Sequence, residues 1–326
     1  MTKIIPVASG KGGVGKSTLV ANLGVKLTEM GKTVLLVDLD LGGSNLHTFL
    51  GIKNNHEGLS SYIFHGNKDL ESLIVETAFP HLFFIPGDGL IPGTANLPFF
   101  VKKRLLSDLQ KLVADVVILD LGAGTSHNVV DFFLLSNLGL VVTVPETIAV
   151  LNAYGFIKTA LYRLLYLSFP YKSKEREIVD HFSQQKLEGS GHNILDLVDS
   201  LYTLSRESGR KAQDVLKVFH PGVVINMGRT KADGMLAGKL QDILKKNIFL
   251  EPSYLGFLPW EGASRDAVNQ RIPLSKLLPG SPFTQGLETL GKSIIAAVDP
   301  VGPEIHWQDR SLEDLMSSGT EFKDSL

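Results

Sequence analysis

A glycine-rich segment near the amino terminus carries the residues with the clearest chemistry. It reads Gly10-Lys11-Gly12-Gly13-Val14-Gly15-Lys16-Ser17-Thr18, between an apolar run at 4–8 and a segment with helical periodicity at 16–30. A glycine-rich turn between a strand and a helix is the context of a phosphate-binding loop, because its backbone N–H groups and the helix N-terminus face the phosphate oxygens. Lys16 is predicted to face the β- and γ-phosphates, and the Ser17 hydroxyl to bind Mg²⁺. The predicted nucleotide-binding residues of this loop are Gly12, Gly13, Val14, Gly15, Lys16, Ser17 and Thr18.

Carboxylates follow two apolar runs further along the chain. Asp38 and Asp40 close the run Val37-Asp38-Leu39-Asp40, and Asp120 closes the apolar run at 116–120. Because residues i and i+2 of a strand share a face, we expect Asp38 and Asp40 on one side of the sheet edge. Paired carboxylates can be solvated charges at a strand end. Beside a bound Mg-nucleotide, they can instead hold the water shell of the metal and orient the attacking water.

Strand-like and helix-like segments alternate along the chain, which predicts an α/β fold: a mostly parallel, twisted sheet of about seven to eight strands with helices on both faces. Several strand segments are continuous runs of Val, Ile and Leu, as expected when both faces of the sheet are covered. The strands are predicted at 4–8, 33–38, 82–86, 116–120, 139–144, 222–226 and 254–258. The helices are predicted at 16–30, 98–112, 128–137, 148–167, 233–246, 263–270 and 284–298.

Residues 168–220 interrupt this alternation. They contain no apolar strand run, but the apolar residues Ile194, Leu197, Val198 and Leu201 recur at helical spacing. We interpret the segment as a helical insertion in a single domain that spans residues 1–300. Residues 301–326 are polar and acidic and are predicted to form a loosely held tail.

Composition excludes several classes of function. The chain has 326 residues, a formal net charge of −2 and no cysteine, so it has no disulfide, thiolate zinc site or cysteine nucleophile. No apolar window approaches the roughly 20 residues of a membrane-spanning helix. The amino terminus lacks the pattern of a signal peptide. We therefore expect a soluble, cytoplasmic protein.

Lys11, immediately after the first glycine of the loop, is a departure from the standard phosphate-binding loop. The pattern from Lys11 to Ser17 resembles the deviant Walker A motif of the MinD/ParA family of P-loop ATPases. This resemblance implies a P-loop NTPase fold, ATP or ADP with Mg²⁺ as ligands, and a homodimer formed with ATP. It implies catalytic roles for Lys11, Lys16, Asp40 and Asn45, and a metal site formed by Ser17, Asp40 and Asp120.

Other segments extend the resemblance over roughly residues 1–165 and 220–298. The run from Asp120 to Gly124 resembles a Walker B strand that leads into a switch loop, with Gly122 close to the γ-phosphate. Val223-Val224-Ile225-Asn226 resembles a strand whose terminal Asn contacts adenine, and the segment ending in Pro259 resembles the base-pocket loop. The turn Pro86-Gly87-Asp88 and the pair Asn226-Met227 are most similar to the flagellar-number regulators of the MinD branch.

These features favour a nucleotide-dependent switch that controls the positioning, number or assembly of a cellular structure. One alternative is an ATP-dependent ligase or amidotransferase of the cobyrinic acid diamide synthase type, although the absence of cysteine removes a glutaminase nucleophile. The absence of cysteine also excludes an iron–sulfur carrier, whose cluster needs thiolate ligands. Another alternative is a ParA-type DNA-segregation ATPase, in which DNA would contact a basic patch. That patch would comprise Arg229, Lys231, Lys239, Lys245 and Lys246, for which a solvated helix face is the simpler explanation.

The partner and the membrane behaviour depend on segments outside the resemblance. We expect an unidentified protein partner to contact the helical insertion, whose apolar stripe can equally pack onto the core. MinD ends in a basic amphipathic helix that binds membrane, whereas residues 301–326 are acidic. Acidic residues are repelled by anionic lipid, so stable membrane binding is not expected.

Overall fold

A single sheet forms the centre of the protein in the computed structural model, which describes residues 2–65, 69–87, 97–184 and 193–298. Within these residues the sheet has eight strands: β1 (Lys3–Ser9), β2 (Val34–Leu39), β3 (Val75–Glu76), β4 (Leu82–Ile85), β5 (Val116–Ala123), β6 (Leu140–Thr143), β7 (Gly222–Gly228) and β8 (Ser253–Pro259). Their order is β3-β4-β2-β5-β1-β6-β7-β8. All neighbours are parallel except β3 and β4, which pair antiparallel.

The helices cover both faces of the sheet. They are α1 (Lys16–Glu29), α2 (Leu46–Phe49), α3 (Leu59–His65), α4 (Phe99–Leu109), α5 (His127–Phe133), α6 (Thr147–Ser168), α7 (Lys174–Ser183), α8 (Ile194–Leu204), α9 (Arg206–Val218), α10 (Lys231–Ile248), α11 (Ser264–Gln270), α12 (Leu274–Leu277) and α13 (Pro282–Val298). Alternate residues of β2 enter opposite apolar layers: Leu35 packs with Leu105 and Phe156 on one face, and Leu36 with Leu19 and Leu287 on the other. Strands buried on both faces explain the continuous apolar runs in the sequence.

The predicted fold class is confirmed, and each of the seven predicted strands is present with boundaries shifted by a few residues. The largest shift is in β5, which continues past Asp120 to Ala123 because it still pairs with β1 and β2 there. The sequence analysis missed β3, the short helices α2, α3 and α12, and a 3₁₀ turn at Leu70–Leu73. These elements span two to seven residues, which is too few for a periodicity to be detected. The predicted acidic tail and Asp88 lie outside the described residues.

The predicted insertion consists of α7, α8 and α9 in the described part of 168–220. Ser173 and Ser205 cap α7 and α9, and Asn193 forms a capping box with Asp196 at the start of α8. The apolar stripe of α8 is buried in the same core layer as Phe156 of α6. The stripe therefore serves packing, while the assignment of one domain with an insertion stays a prediction.

A buried ion-pair network connects α5 to the helices on either side of it. Asp131 of α5 accepts hydrogen bonds from Lys102 of α4 and, at 2.7 and 3.1 Å, from the guanidinium of Arg163 on α6. Burial alone would raise the pKa of Asp131, but the two cations outweigh it and lower that pKa. A short loop after β5 leads into α5, so this network holds the helix that begins at the end of the predicted switch loop.

Asp131→Ala is expected to lower the free energy of unfolding by about 3 kcal/mol, at the low end of the range for breaking a buried ion pair because Arg163 stays partly exposed. The control is Asp214→Ala, which removes the exposed ion pair to Lys217 and should cost about 0–1 kcal/mol. Urea unfolding of both variants measures the difference, and equal midpoints would contradict the role of the network.

The same variant has a predictable pH dependence. Because the folded pKa of Asp131 is lowered, its stabilising contribution is complete above the unfolded value of about 3.9 and is lost as the pH falls through the folded value. The difference in unfolding free energy between wild type and Asp131→Ala should therefore shrink in acid. A difference that stays constant between neutral and acidic pH would show that the loss is one of packing.

Candidate nucleotide-binding site

The glycine-rich loop joins β1 to α1 and turns tightly at its end. Gly15 caps the N-terminus of α1 with a φ of 79°, in the left-handed region that favours glycine. A Cβ atom at Gly15 would lie 2.4 Å from Nδ2 of Asn226, so the loop also needs glycine for its close approach to β7. The loop therefore has the conformation that lets backbone N–H groups and the start of α1 face an anion.

Lys16 and Asp120 form a buried ion pair at the base of this loop. Their side chains are 7% and 1% exposed, and Lys16 Nζ donates to Asp120 Oδ1. The Ser17 side chain lies close enough to the same carboxylate to act on its pKa. Burial raises the pKa of Asp120, whereas Lys16 and Ser17 stabilise its ionised form and oppose this rise. The structure thus brings together three residues that the sequence analysis assigned to one site.

Asp38 is buried beside Asp120 and accepts hydrogen bonds from the loop that follows β2. The two residues lie opposite each other in the register of β2 and β5, and Asp38 accepts hydrogen bonds from Ser44 Oγ at 2.7 Å and Leu46 N at 3.1 Å. Burial and the neighbouring Asp120 raise the pKa of Asp38 to about 7, against the effect of these donors. These hydrogen bonds therefore hold the loop from Asp40 to Leu46 against the sheet.

Asp40 lies beyond the end of β2, so it does not share the environment of Asp38. It lines a cavity of about 400 Å³ above the glycine-rich loop. A Cβ atom at Gly122 would lie 3.4 Å from Asp40 Oδ1, so the glycine leaves room for this carboxylate. The cavity is lined by Ser9, Gly12, Gly13, Val14, Gly15, Lys16, Ser17, Thr18, Asp40, Asn45, Thr48, Phe49, Ala123 and Val268. The loop residues predicted to bind nucleotide, with Asp40 and Asn45, thus surround one cavity.

The residues at this cavity fit a magnesium ion. Asp120 Oδ2 is buried without a hydrogen-bond partner among the described residues, which leaves a carboxylate oxygen available. The Ser17 hydroxyl lies beside Asp120, and Asp40 is close enough to Asp120 to act on its pKa. Mg²⁺ binds through one or two carboxylates, a hydroxyl and the phosphates of its nucleotide, and the donor set agrees with that preference.

Lys11 does not face the cavity of its own loop. Its Nζ lies 2.7 Å from Oε2 of Glu146, which is the residue before α6. The two side chains are 32% and 63% exposed, so this pair contributes about 0–1 kcal/mol. Glu146 had no role in the sequence analysis. The only indication of Glu146 in the sequence was its position shortly after β6, which ends at the same edge of the sheet as the glycine-rich loop.

The predicted adenine contacts lie beside the cavity and do not line it. Asn226 is inside β7, two residues before its end, and not at the terminus as expected. Its Nδ2 donates to the carbonyl of Val14 at 2.9 Å, so Asn226 supports the loop. Pro259 ends β8 and pairs with Gly228 in the register of β7. Contact of Asn226 or Pro259 with a base stays a prediction.

Two residues of the predicted basic patch have partners within the described structure. The guanidinium of Arg229 lies over the ring of Trp260, with Cζ 4.3 Å from the ring centroid. Lys245 pairs with Glu251 at 2.5 Å. Contact of this patch with DNA stays the less favoured alternative.

Sequence reasoning missed several further features of the site. The hydrogen bonds of Asp38 to the following loop and the bond from Asn226 to Val14 had no signal in the sequence. Val268 of α11 lines the cavity from a segment far along the chain, and nothing in its surroundings distinguishes it. Thr48 and Phe49 follow Asn45 closely, so their position near the cavity could have been inferred.

A glycine-rich loop between a parallel strand and a helix, with a buried Lys–Asp pair at its base, defines a P-loop nucleotide-binding protein. Residues 5–274 match the CbiA family, the CobQ/CobB/MinD/ParA nucleotide binding domain, and the chain belongs to this family. Its relatives include MinD proteins, and its structural neighbours include a MinD protein and a ParA family ATPase.

Two curated relatives illustrate the similarity. The chain is 36% identical over 164 residues to the flagellum site-determining protein YlxH of Helicobacter pylori, which covers 48% of this chain and 53% of that protein. It is 32% identical over 157 residues to the septum site-determining protein MinD of Thermotoga maritima, covering 47% of this chain and 56% of that protein. The chain thus spans about half the length of the curated relatives it matches.

Solved structures show the fold over almost the whole chain. MinD of Pyrococcus horikoshii complexed with Mg-ADP gives a TM-score of 0.62 at 22% identity and covers 92% of this chain and 100% of that one. A ParA family ATPase of Chlorobium tepidum gives 0.59 at 16% identity, covering 89% and 98%. Among the described residues, no helix of this chain has the length and apolar character needed to cross a membrane.

Gly15→Ala is expected to weaken nucleotide binding by at least about tenfold, because the new methyl group would displace Asn226 or the loop in addition to straining the backbone by about 1–2 kcal/mol. Gly31→Ala is the matched control, with a φ of 82° but no atom within 4 Å of the added Cβ. Calorimetric titration with Mg-ADP measures both variants. Equal affinities would show that the approach of the loop to β7 is unimportant.

Proposed function

We propose that the chain binds and slowly hydrolyses ATP with Mg²⁺ and acts as a molecular switch that controls the positioning, number or assembly of a cellular structure. The observation that carries the proposal is a cavity lined by the glycine-rich loop, Lys16, Asp40 and Asn45, with Asp120 paired to Lys16 behind the loop. Family membership supports it, because the family comprises nucleotide-binding domains.

Each residue at the cavity has a chemical role in this proposal. The loop N–H groups and Lys16 neutralise the phosphates, and Lys16 can exchange its contact with Asp120 for phosphate oxygens. Ser17, Asp120 and Asp40 hold Mg²⁺, which supplies charge neutralisation at the phosphates when it is bound. Asp40 also accepts a hydrogen bond from the attacking water and orients it, with Asn45 beside it. The short loop from Asp40 to Asn45 is held by Asp38, so these two side chains keep their position.

Dimerisation with ATP is supported by the position of Lys11. Its side chain lies on the surface and pairs with Glu146, and an exposed pair of this kind is weak enough for a triphosphate to compete for the lysine. A lysine supplied to the nucleotide of a second copy is favourable mainly when the γ-phosphate is present. Hydrolysis would therefore favour dissociation, since the two states differ in their affinity for ATP and ADP.

The cellular role is inferred from the relatives, which are described as flagellum and septum site-determining proteins. We propose a related role in site determination for this chain, in the cytoplasm. A protein partner would contact the surface of the helices α7 to α9, where Tyr171 and Leu195 are exposed. This partner would differ from one family member to another, whereas the nucleotide site would not.

Asp40→Ala is expected to keep most of its Mg-ATP binding, because the loop, Lys16 and the metal ligands Ser17 and Asp120 remain. It should lose at least about tenfold in turnover, because the attacking water is no longer oriented. Lys16→Ala is the comparison variant and should lose binding itself, because it removes the charge that faces the phosphates. Equilibrium binding and phosphate release measure the two steps separately. Wild-type turnover by Asp40→Ala would refute the role of Asp40.

Light scattering on Asp40→Ala should show a dimer with Mg-ATP and a monomer with Mg-ADP. Adding Lys11→Ala should restore the monomer with ATP while most of the ATP affinity is kept, because Lys11 does not face its own cavity. Adding Glu146→Gln is the control and should leave the dimer intact, since it frees Lys11. A dimer formed normally without Lys11, or no dimer at high protein concentration, would contradict this mechanism.

A further inference from the structure

A second cavity, of about 870 Å³, lies between α5, α6 and α7. It is about twice as large as the cavity above the glycine-rich loop and shares no lining residue with it. Small-molecule sites measure about 300–1,000 Å³ and combine an apolar wall with a few polar groups that orient the ligand. This cavity therefore has the size of a ligand site, and its lining indicates which ligand it fits.

Aromatic side chains of α6 form one wall of the cavity. Tyr162 and Tyr166 both line it and lie one helical turn apart, and Tyr162 is buried. Val130 of α5 and Val179 of α7 add apolar surface from the neighbouring helices. Flat rings beside aliphatic side chains favour an occupant with a flat apolar body, because apolar burial and ring stacking both stabilise it.

Gly155 leaves room in the same wall. It lines the cavity from within α6, and a Cβ atom added there would have no neighbouring atom within 4 Å. Packing of the helix therefore does not require glycine at this position, and a larger side chain would enter the open space of the cavity.

Lys158 supplies a positive charge to the cavity. Its side chain is half-buried, and its Nζ lies 5.4 Å from the centroid of the Tyr162 ring. Burial lowers the pKa of Lys158, and no neighbouring carboxylate in the described part of the chain offsets this effect. An anionic group in the cavity would stabilise the charged form of Lys158.

The other charged groups that line the cavity do not neutralise Lys158. Arg163 donates to Asp131 at 2.7 and 3.1 Å, so its own charge is compensated. Asp180 is exposed on α7 and accepts a hydrogen bond from Gln184 Nε2 at 2.8 Å. His127, at the start of α5, carries no negative charge. Lys158 is thus the group that a ligand anion can reach and pair with.

We propose that this cavity is a second ligand site, which binds an organic anion with a flat apolar body. The anionic group pairs with Lys158, and the body packs on Tyr162 and Tyr166. An ion pair in partly buried surroundings is stronger than one in open water. Gly10, the first residue of the glycine-rich loop, also lines the cavity, so the ligand would contact the start of the loop without occupying its phosphate site.

Two fluorescent probes test the proposal. 8-Anilinonaphthalene-1-sulfonate is a flat aromatic anion whose emission increases in apolar surroundings, and N-phenyl-1-naphthylamine has the same body without the sulfonate. Wild type should bind the sulfonate probe more tightly than the uncharged one, with equal affinity in the absence and presence of saturating Mg-ADP. Displacement of the sulfonate probe by Mg-ADP would overturn the proposal, because it would place the probe in the nucleotide cavity.

Variants of Lys158 test the charge. Lys158→Met should weaken binding of the sulfonate probe by about tenfold and leave the uncharged probe unaffected, because only the ion pair is lost. Lys158→Arg should recover most of the affinity. Lys217→Met, which removes an exposed lysine of α9, is the matched control and should bind both probes normally. An equal loss of both probes in Lys158→Met would refute the pairing with an anion.

Gly155→Phe tests the location. Its side chain fills the cavity and should abolish tight binding of both probes. Gly238→Phe is the matched control on α10, where an added Cβ also has no atom within 4 Å, and it should bind them as wild type does. Urea unfolding checks that both variants are folded. Unchanged binding by folded Gly155→Phe would show that the probes bind elsewhere. The inference does not depend on nucleotide binding, so either proposal can fail while the other stands.

Discussion

The ion pair between Lys16 and Asp120 constrains the rest of the site, because both charges are removed from water between two apolar layers. A buried ion pair has a large desolvation cost, which is offset only when the remaining polar atoms also find partners. The parallel register makes the requirement stricter, since it places a third buried charge, Asp38, opposite Asp120. The hydrogen bonds from Ser44 and Leu46 to Asp38, and from Lys16 to Asp120, meet most of that requirement. One oxygen of Asp120 is left over for a ligand.

Much of this arrangement could be predicted from local sequence. The strands are apolar runs because the sheet is covered on both faces, and Asp120 follows four apolar residues of such a run, so its place near the carboxyl end of β5 could be predicted. The loop was predictable because glycines, Lys16 and Ser17 occur together between a strand and a helix. Both patterns lie within short segments, so they can be recognised in the sequence without knowledge of the fold.

The features that were missed depend on contacts between distant segments. Asp38 and Asp40 were grouped by strand alternation, but β2 ends at Leu39 and the two carboxylates separate, one into the sheet and one into the cavity. The hydrogen bond from the Asn226 amide to Val14 joins distant segments and was not anticipated. The partner of Lys11, Glu146, lies 135 residues away, and no local pattern indicates which charges meet across such a separation.

The hydrogen bond from Asn226 to Val14 joins residues that are 212 positions apart, so it bears on how the protein is synthesised. A ribosome completes the glycine-rich motif long before it makes β7, and the hydrogen bond that supports the motif forms only after β7 has been made and has docked. Contacts of long sequence separation form only after the entropy of closing the loop between them has been overcome. Throughout the synthesis of the residues between them, a nascent chain therefore carries the motif without the finished site.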